Sequence, residues 1–462
     1  MRPHVIRHQL EPWFDPDVVF AALYARSDRA FWLDAGRAAA TGFSYLGEGT
    51  RLVTASLATR SLSGTNDAEA AQGDIFEFLG EQQRAGVDSG GAGGFGLGWV
   101  GWFGYELRST TMGMHSRPDA RTSRYPDAAW LEVLRMIEFD HAAHTVTLVA
   151  LGEDWSGEQG EWRDGVSAAL AHARPVQAVA PAPARGVRWS YPDDEYLAMI
   201  RECQAAIGRG DAYQLCLTTE VEVDIHADPA ATYLALRETS PSHHGGYLRA
   251  GEFSLLSSSP EIFLTVDTDG TIESRPIKGT RRRGSTSAED AALRAELEAS
   301  EKERAENLMI VDLMRNDIAR VSEVGSISVP GLLEVESYAQ VHQLVSTVRG
   351  RLRSGLRPVD AVLACFPAGS MTGAPKSSAT SILDGLERRP RGVYSGAFGY
   401  VGLNGRIELA MVIRSIVLDR RGATIGTGGG ITALSVPEEE LDEVKLKAAA
   451  LLAVLGAGAS GS

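Results

Sequence analysis

Lys278, in the run Ser274-Arg275-Pro276-Ile277-Lys278-Gly279-Thr280-Arg281, is the residue whose neighbours most plainly invite chemistry. A lysine between a Pro-Ile step and a Gly-Thr step is expected where a strand gives way to a turn. Glycine lets a ligand come close to the backbone, and threonine adds a hydroxyl beside the amine. Arg281, Arg282 and Arg283 follow, so a group meeting Lys278 is expected to meet a strongly cationic surface. An amine in such company loses its proton more easily, and the neutral amine is a nucleophile. The plain alternative for a lone lysine is a solvated basic turn.

Two carboxylate pairs could serve a metal. Glu303 and Glu306 lie three apart on an expected helix, and Glu440 and Glu443 repeat the spacing near the end of the chain, with Lys447 one turn further. Glutamates on two facing helices could grip one magnesium ion and leave positions for water and substrate oxygens. Taken singly, each pair also reads as an ordinary acidic helix turn. The glycine-rich segments are less specific. Gly369-Ser-Met-Thr-Gly-Ala-Pro-Lys376 has the wrong spacing for a phosphate loop, with Pro375 where a backbone N–H is wanted. The amides of Gly426-Thr-Gly-Gly-Gly-Ile431 are expected to be exposed and able to receive a carboxylate. Gly-x-Gly-x-x-Gly occurs from Gly91 to Gly96 and from Gly96 to Gly101, but both copies run into an aromatic strand rather than opening a helix, against a dinucleotide site.

These residues must be positioned by a chain of 462 residues, long enough for two or three ordinary domains, or one large one and a smaller partner. Net charge of −15 argues against a nucleic-acid or anionic-membrane partner, and no stretch reaches the roughly 20 apolar residues of a membrane span. Cys203, Cys216 and Cys365 form no Cys-x-x-Cys pair, so neither disulfides nor a zinc knuckle is expected. The start Met1-Arg-Pro-His-Val-Ile lacks the apolar core of a signal peptide, and a reducing cytoplasm is the expected compartment.

Phe31-Trp-Leu-Asp, Gly96 to Tyr105 and Thr145 to Ala150 read as strands, the second with four aromatics whose expected role is packing. Residues 172–187, rich in proline and alanine, read as a linker between an N-terminal region (1–171) and a second domain (188–456). Beyond it the spacing predicts a helix over 192–209, strands over 213–223 and 253–256, and a long helical pattern over 288–321 broken at Arg315-Asn316-Asp317. A last helix is expected over 437–455. The mixture favours an α+β fold.

From Asp194 to Lys447 the motifs form an ordered series that resembles the chorismate-utilising family. They are Asp211-Ala-Tyr-Gln-Leu, Ser259-Pro-Glu, Pro276-Ile-Lys-Gly-Thr, Glu303-Arg-Ala-Glu-Asn, Phe366-Pro-Ala-Gly-Ser-Met-Thr-Gly-Ala-Pro-Lys, Tyr394-Ser-Gly, Ile413-Arg-Ser, Gly428-Gly-Gly-Ile and Glu440-Leu-Asp-Glu. The resemblance implies a large antiparallel β-sandwich flanked by helices. It also implies chorismate as substrate, Mg2+ held by Glu303, Glu306, Glu440 and Glu443, and Glu261 as general acid/base. Gln214, Thr280, Tyr394, Arg414, Gly428, Gly429, Gly430 and Lys447 would bind substrate. The family's anthranilate-forming members usually carry alanine at the place of Lys278. Lysine there points to amination of chorismate at its 4-position, on the p-aminobenzoate and folate branch, through a covalent Lys278 intermediate. The alternatives are anthranilate formation and a catalytically idle chorismate-binding subunit. Gln214 stands where isochorismate- and salicylate-forming members use a lysine base, which argues against water activation. No cysteine sits in a glycine-rich nucleophile turn, so ammonia is expected from a separate glutamine amidotransferase subunit. The sequence departs from the family at Gln343, where a histidine is common and His342 precedes it. It departs again at Ser240-Pro-Ser-His-His244, where relatives that bind tryptophan carry Asn-Pro-x-Pro-Tyr/Phe.

Overall fold

The computed structural model describes residues 4–64, 71–83, 94–113, 122–174, 184–338 and 341–457. Within them, two large antiparallel sheets of twelve strands each are flanked by helices, the α+β sandwich expected. Both sheets draw strands from either side of residues 172–187. In the first sheet His244–Ala250 pairs with Ala30–Asp34, setting Tyr247 opposite Trp32. In the second, Ala397–Gly402 pairs with Gly98–Phe103, setting Phe398 opposite Trp102. Most of the expected linker, 175–183, lies outside the described residues, and its last two positions already belong to the strand Gly186–Trp189.

Burial explains the aromatic run. Trp99, Trp102, Phe103 and Tyr105 are all at most 2 % exposed, so they build the core rather than a binding wall. The second Gly-x-Gly-x-x-Gly copy does run into this strand; the first lies partly outside the described residues.

The helices Asp193–Gly208 and Pro437–Val454 occupy the expected positions. The long helical pattern is broken elsewhere than expected. Ser300, extended at φ −66° and ψ 108°, separates Ser287–Ala299 from Glu301–Ala319, and its hydroxyl accepts the Glu303 amide as an N-cap. Arg315-Asn316-Asp317 stays helical because Asp317 is buried against the Lys376 ammonium. Lys376 also donates to the carbonyls of Cys365 (2.9 Å) and Pro367 (2.7 Å). That ammonium is spent inside the protein, in keeping with the rejection of a phosphate loop. Among the described residues no helix is long and apolar enough to cross a membrane.

Candidate active site

Lys278 lies on the strand Ile277–Arg282, which pairs with Val341–Arg351 at the end of the second sheet. Ile277 faces Val345 and Thr280 faces Gln343, so one extra residue is accommodated at Lys278–Gly279 as a bulge. Gly279 takes φ +84°, and a Cβ there would stand 2.8 Å from Leu297 and 3.0 Å from Glu303. Only glycine fits both the dihedral and the space.

The cationic surface expected around Lys278 is absent as such. Arg281 pairs with Glu296, Arg282 with Glu289 and Arg283 with Asp290, all carboxylates of the helix Ser287–Ala299, and Arg281 also lies 3.7 Å from Glu303 on the helix Glu301–Ala319. Sequence adjacency put the arginines beside Lys278; the helix that follows neutralises them. The lysine faces acids instead. Its Nζ is 3.9 Å from Glu306 Oε2. It also pulls down the pKa of Glu261, which burial nevertheless pushes up to about 7. Hydrogen bonds from Ser370 and Ile277 act in the same downward sense.

Gln214 opens the strand Gln214–Asp224, and among the described residues neither of its buried side-chain amide atoms has a hydrogen-bond partner. A Cβ built on Gly430 would come within 2.4 Å of Gln214 Nε2 and 3.5 Å of Lys278 Nζ, which puts the two side chains over one glycine. A buried amide left unpaired is costly, and a polar ligand beside Lys278 would satisfy it.

Gly428, Gly429 and Gly430 are not an exposed loop. They belong to the strand Gly422–Ile431, register-paired with Thr218, Leu217 and Cys216, and Gly428 and Gly429 are buried. Side chains lean on this strand where a Cβ would otherwise be. A Cβ on Gly429 would stand 3.0 Å from Glu440, and one on Gly426 2.0 Å from the Tyr394 ring. Tyr394 therefore sits about 13 Å along the strand from the Lys278 end, at 3.3 Å per residue. Lys447 is occupied: it pairs with Glu443 at 2.6 Å and donates to the Gly428 carbonyl at 2.9 Å. Arg414, at φ +50°, makes no ion pair among the described residues. Thr280 is exposed beyond the bulge.

Glu303 and Glu306 lie on Glu301–Ala319, and Glu440 and Glu443 on Pro437–Val454. The helices meet through Lys302, whose Nζ is 3.8 Å from Glu440; Glu440 also accepts the Ser435 hydroxyl at 2.7 Å. Burial pushes the Glu306 carboxyl up; Lys278 and Lys302 oppose this, and Glu303 and Glu440 add to it. Burial would also raise Glu443, but Lys447, Lys302 and Lys278 outweigh it and hold the carboxyl below its ordinary value. Among the described residues no three ligand groups stand close enough together to hold one ion. The donor set is carboxylate oxygen throughout, the ligand type a hard divalent cation takes, and the side chains of Lys278, Arg281, Lys302 and Lys447 now pair with it, so a bound cation would have to displace them. Lys302 escaped the sequence reading; its place one helical turn before Glu306 was the available signal.

Strand alternation explains the Gln343 departure. His342 points to the helix Ser287–Ala299, where its Nε2 faces Asp290 Oδ1 at 3.0 Å and its Nδ1 faces Ser337 Oγ at 2.8 Å. Gln343 lies opposite Thr280. A cavity of about 620 Å3 opens elsewhere, toward the far end of Gln214–Asp224, lined by residues that include Glu220, Glu222 and Arg389, and none of the expected site residues lines it.

A family model described as chorismate binding enzyme matches residues 28–453. The chain belongs to the chorismate binding enzyme family. Among curated relatives, it is 42% identical over 461 residues to an aminodeoxychorismate synthase of Streptomyces pristinaespiralis, covering 96% of this chain and 64% of that protein. The chain thus spans less than two thirds of that relative. It is also 34% identical over 448 residues to anthranilate synthase component 1 of Methanothermobacter thermautotrophicus, covering 95% of this chain and 91% of that one. Among solved structures, anthranilate synthase component I of Streptococcus pneumoniae superposes with a TM-score of 0.78 at 27% identity, over 95% of this chain and 97% of that chain.

Proposed function

We propose that this chain is the synthase component of an aminodeoxychorismate synthase, converting chorismate and ammonia to 4-amino-4-deoxychorismate for p-aminobenzoate and folate synthesis. The observation that carries the reading is Lys278 itself, a largely buried amine facing the Glu306 carboxylate, next to Gln214, whose side-chain amide has no hydrogen-bond partner among the described residues. The Streptomyces relative supports it.

The Lys278 amine, giving its proton to the neighbouring Glu306 carboxylate at 3.9 Å, forms a bond to the ring as the bond from C4 to the hydroxyl oxygen breaks. Glu261, with a pKa near 7, holds the proton that this oxygen takes as it leaves as water. Ammonia then forms a bond at C4 while the ring–Lys278 bond breaks; the resulting ammonium returns a proton to Glu261, and Glu306 returns its proton to Lys278. Arg414, which makes no ion pair among the described residues, would be available for a substrate carboxylate, with Lys447 and the Gly428–Gly430 backbone alongside. Tyr394 and Thr280 would line the outer parts of the pocket. Glu303, Glu306, Glu440 and Glu443 would hold Mg2+, whose charge would offset that of a substrate carboxylate.

Ammonia would come from a separate glutamine amidotransferase subunit. The three thiols here are poor nucleophile candidates: burial pushes Cys203 and Cys365 up to about 12 and raises Cys216 as well. Buried free thiols fit a cytoplasmic setting.

Anthranilate synthesis is the second reading, favoured by the component 1 relative that the chain spans almost entirely. One incubation separates them. With chorismate, ammonium and magnesium, the first reading expects an amino-chorismate, identified by mass, that becomes p-aminobenzoate only after a lyase is added. Direct release of fluorescent anthranilate and pyruvate would overturn it, and an absence of turnover would point to a non-catalytic chorismate-binding subunit.

A further inference from the structure

The three arginines after Lys278 have no part in the proposed reaction, yet each is paired with a carboxylate of the following helix. The Lys278 strand is bulged and ends its sheet, so the single ladder to Val341–Arg351 is interrupted just where the lysine must be aimed. The helix Ser287–Ala299 packs across it, yet buries only Leu297. Charge supplies the rest of the attachment. Arg281 Nε donates to Glu296 at 3.0 Å, Arg282 pairs with Glu289, and Arg283 grips both Asp290 oxygens at 2.8 Å each. Such a fork fixes orientation as well as distance.

Asp290 is the hub. Its Oδ1 also accepts the Gly284 amide at 2.8 Å and faces His342 Nε2 at 3.0 Å. Glycine at 284 permits this approach, since a Cβ there would stand 2.1 Å from Asp290 N. Arg283 continues to the Tyr338 carbonyl at 2.6 Å. One carboxylate therefore joins the chain leaving the Lys278 strand, the neighbouring strand through His342, and the helix whose Leu297 abuts Gly279.

We propose that Asp290 is a positioning residue for Lys278: through Arg283 and His342 it holds the bulge in the shape that aims the amine at the substrate, without touching substrate itself. The proposal rests on the role given to Lys278 above. The basic run is then a clamp on the nucleophile's strand rather than a surface for anions.

Asp290→Asn keeps the size of the side chain but removes its charge and one acceptor oxygen. The expected result is a fall in kcat of about tenfold or more with the chorismate KM within about twofold of the parent. The rate at which succinimidyl acetate acetylates Lys278, read by peptide mass spectrometry, should change by about threefold or more in the same variant, as expected when a local network is loosened. Arg283→Lys, which keeps the charge but loses the fork, should move both readouts the same way by less; it also serves if Asp290→Asn does not fold. Unchanged kcat together with unchanged Lys278 labelling would overturn the proposal, as would a parallel loss of kcat, substrate binding and folded protein in both variants. The labelling needs no turnover. If the parent makes no amino-chorismate, the reaction reading fails while Lys278 labelling still decides the role of Asp290.

Discussion

Lys278 Nζ and Glu306 Oε2 stand 3.9 Å apart, one on a bulged strand and the other on a buried turn of the helix Glu301–Ala319. The pair puts the nucleophile of the proposed reaction against the acidic helix rather than in bulk solvent. Replacing Lys278 by alanine removes the bond-forming atom but none of the candidate carboxylate-binding groups. Amination at C4 should fall by about 100-fold or more with chorismate binding nearly retained. Steady-state rates alongside direct chorismate titration check this, and an unchanged rate would remove the covalent step.

Glu261 must be protonated to assist departure of the hydroxyl, and its pKa is near 7. Single-turnover formation of the Lys278 adduct without ammonia should therefore decline as pH rises through about 7. Glu261→Gln should lower that rate by about 10²- to 10⁴-fold and abolish this limb of the profile. The same shift has a stability sign. A carboxyl whose folded pKa is raised favours the fold below its ordinary pKa, near 4.5, and that contribution is lost as pH climbs to about 7. The loss is on the order of 3 kcal/mol, and denaturant melts of Glu261→Gln should show a flatter pH dependence over that window.

The four helix glutamates lead to a titration experiment. Glu306→Ala and Glu443→Ala should each raise the magnesium concentration needed for half-maximal activity, by about tenfold or more. Calorimetric Mg2+ titration of the same variants should weaken in step. If neither variant shifts either measurement, the two helices do not hold the ion.

Gly426 and Gly430 separate packing from function. A methyl on Gly426 would enter the Tyr394 ring at 2.0 Å, and overpacking of this kind costs about 1–3 kcal/mol, readable in a denaturant melt. A methyl on Gly430 would press on Gln214 Nε2 at 2.4 Å and reach within 3.5 Å of Lys278 Nζ. Gly430→Ala should therefore raise the chorismate KM more than Gly426→Ala does. Equal KM values would mean that the Gly430 end of the strand is not part of the substrate site.

Much of this molecule is readable from local pattern because local pattern is what periodicity, caps and motifs record. The helices Asp193–Gly208 and Pro437–Val454, the buried aromatic strand Gly98–Phe103 and the strand opened by Gln214 all follow from spacing. Lys278, Glu261 and the glutamate pairs stand out by residue type within ordered motifs. The break at Ser300 was harder to see, because three turn-prone residues at 315–317 outweigh one serine unless the burial of Asp317 against Lys376 is known.

The sequence alone thus determined which side chains are available for chemistry and that they belong to an α+β chain of chorismate-enzyme type. Tertiary structure decided what each faces. It interleaved strands from both sides of residues 172–187, turned Arg281, Arg282 and Arg283 onto the next helix, set Gly428–Gly430 inside a sheet, and aimed His342 away from Gln343. The reason is the range of the forces involved. Helix and strand propensities act over a few residues, whereas ion pairing, desolvation and close packing act between groups that only folding brings within a few ångströms.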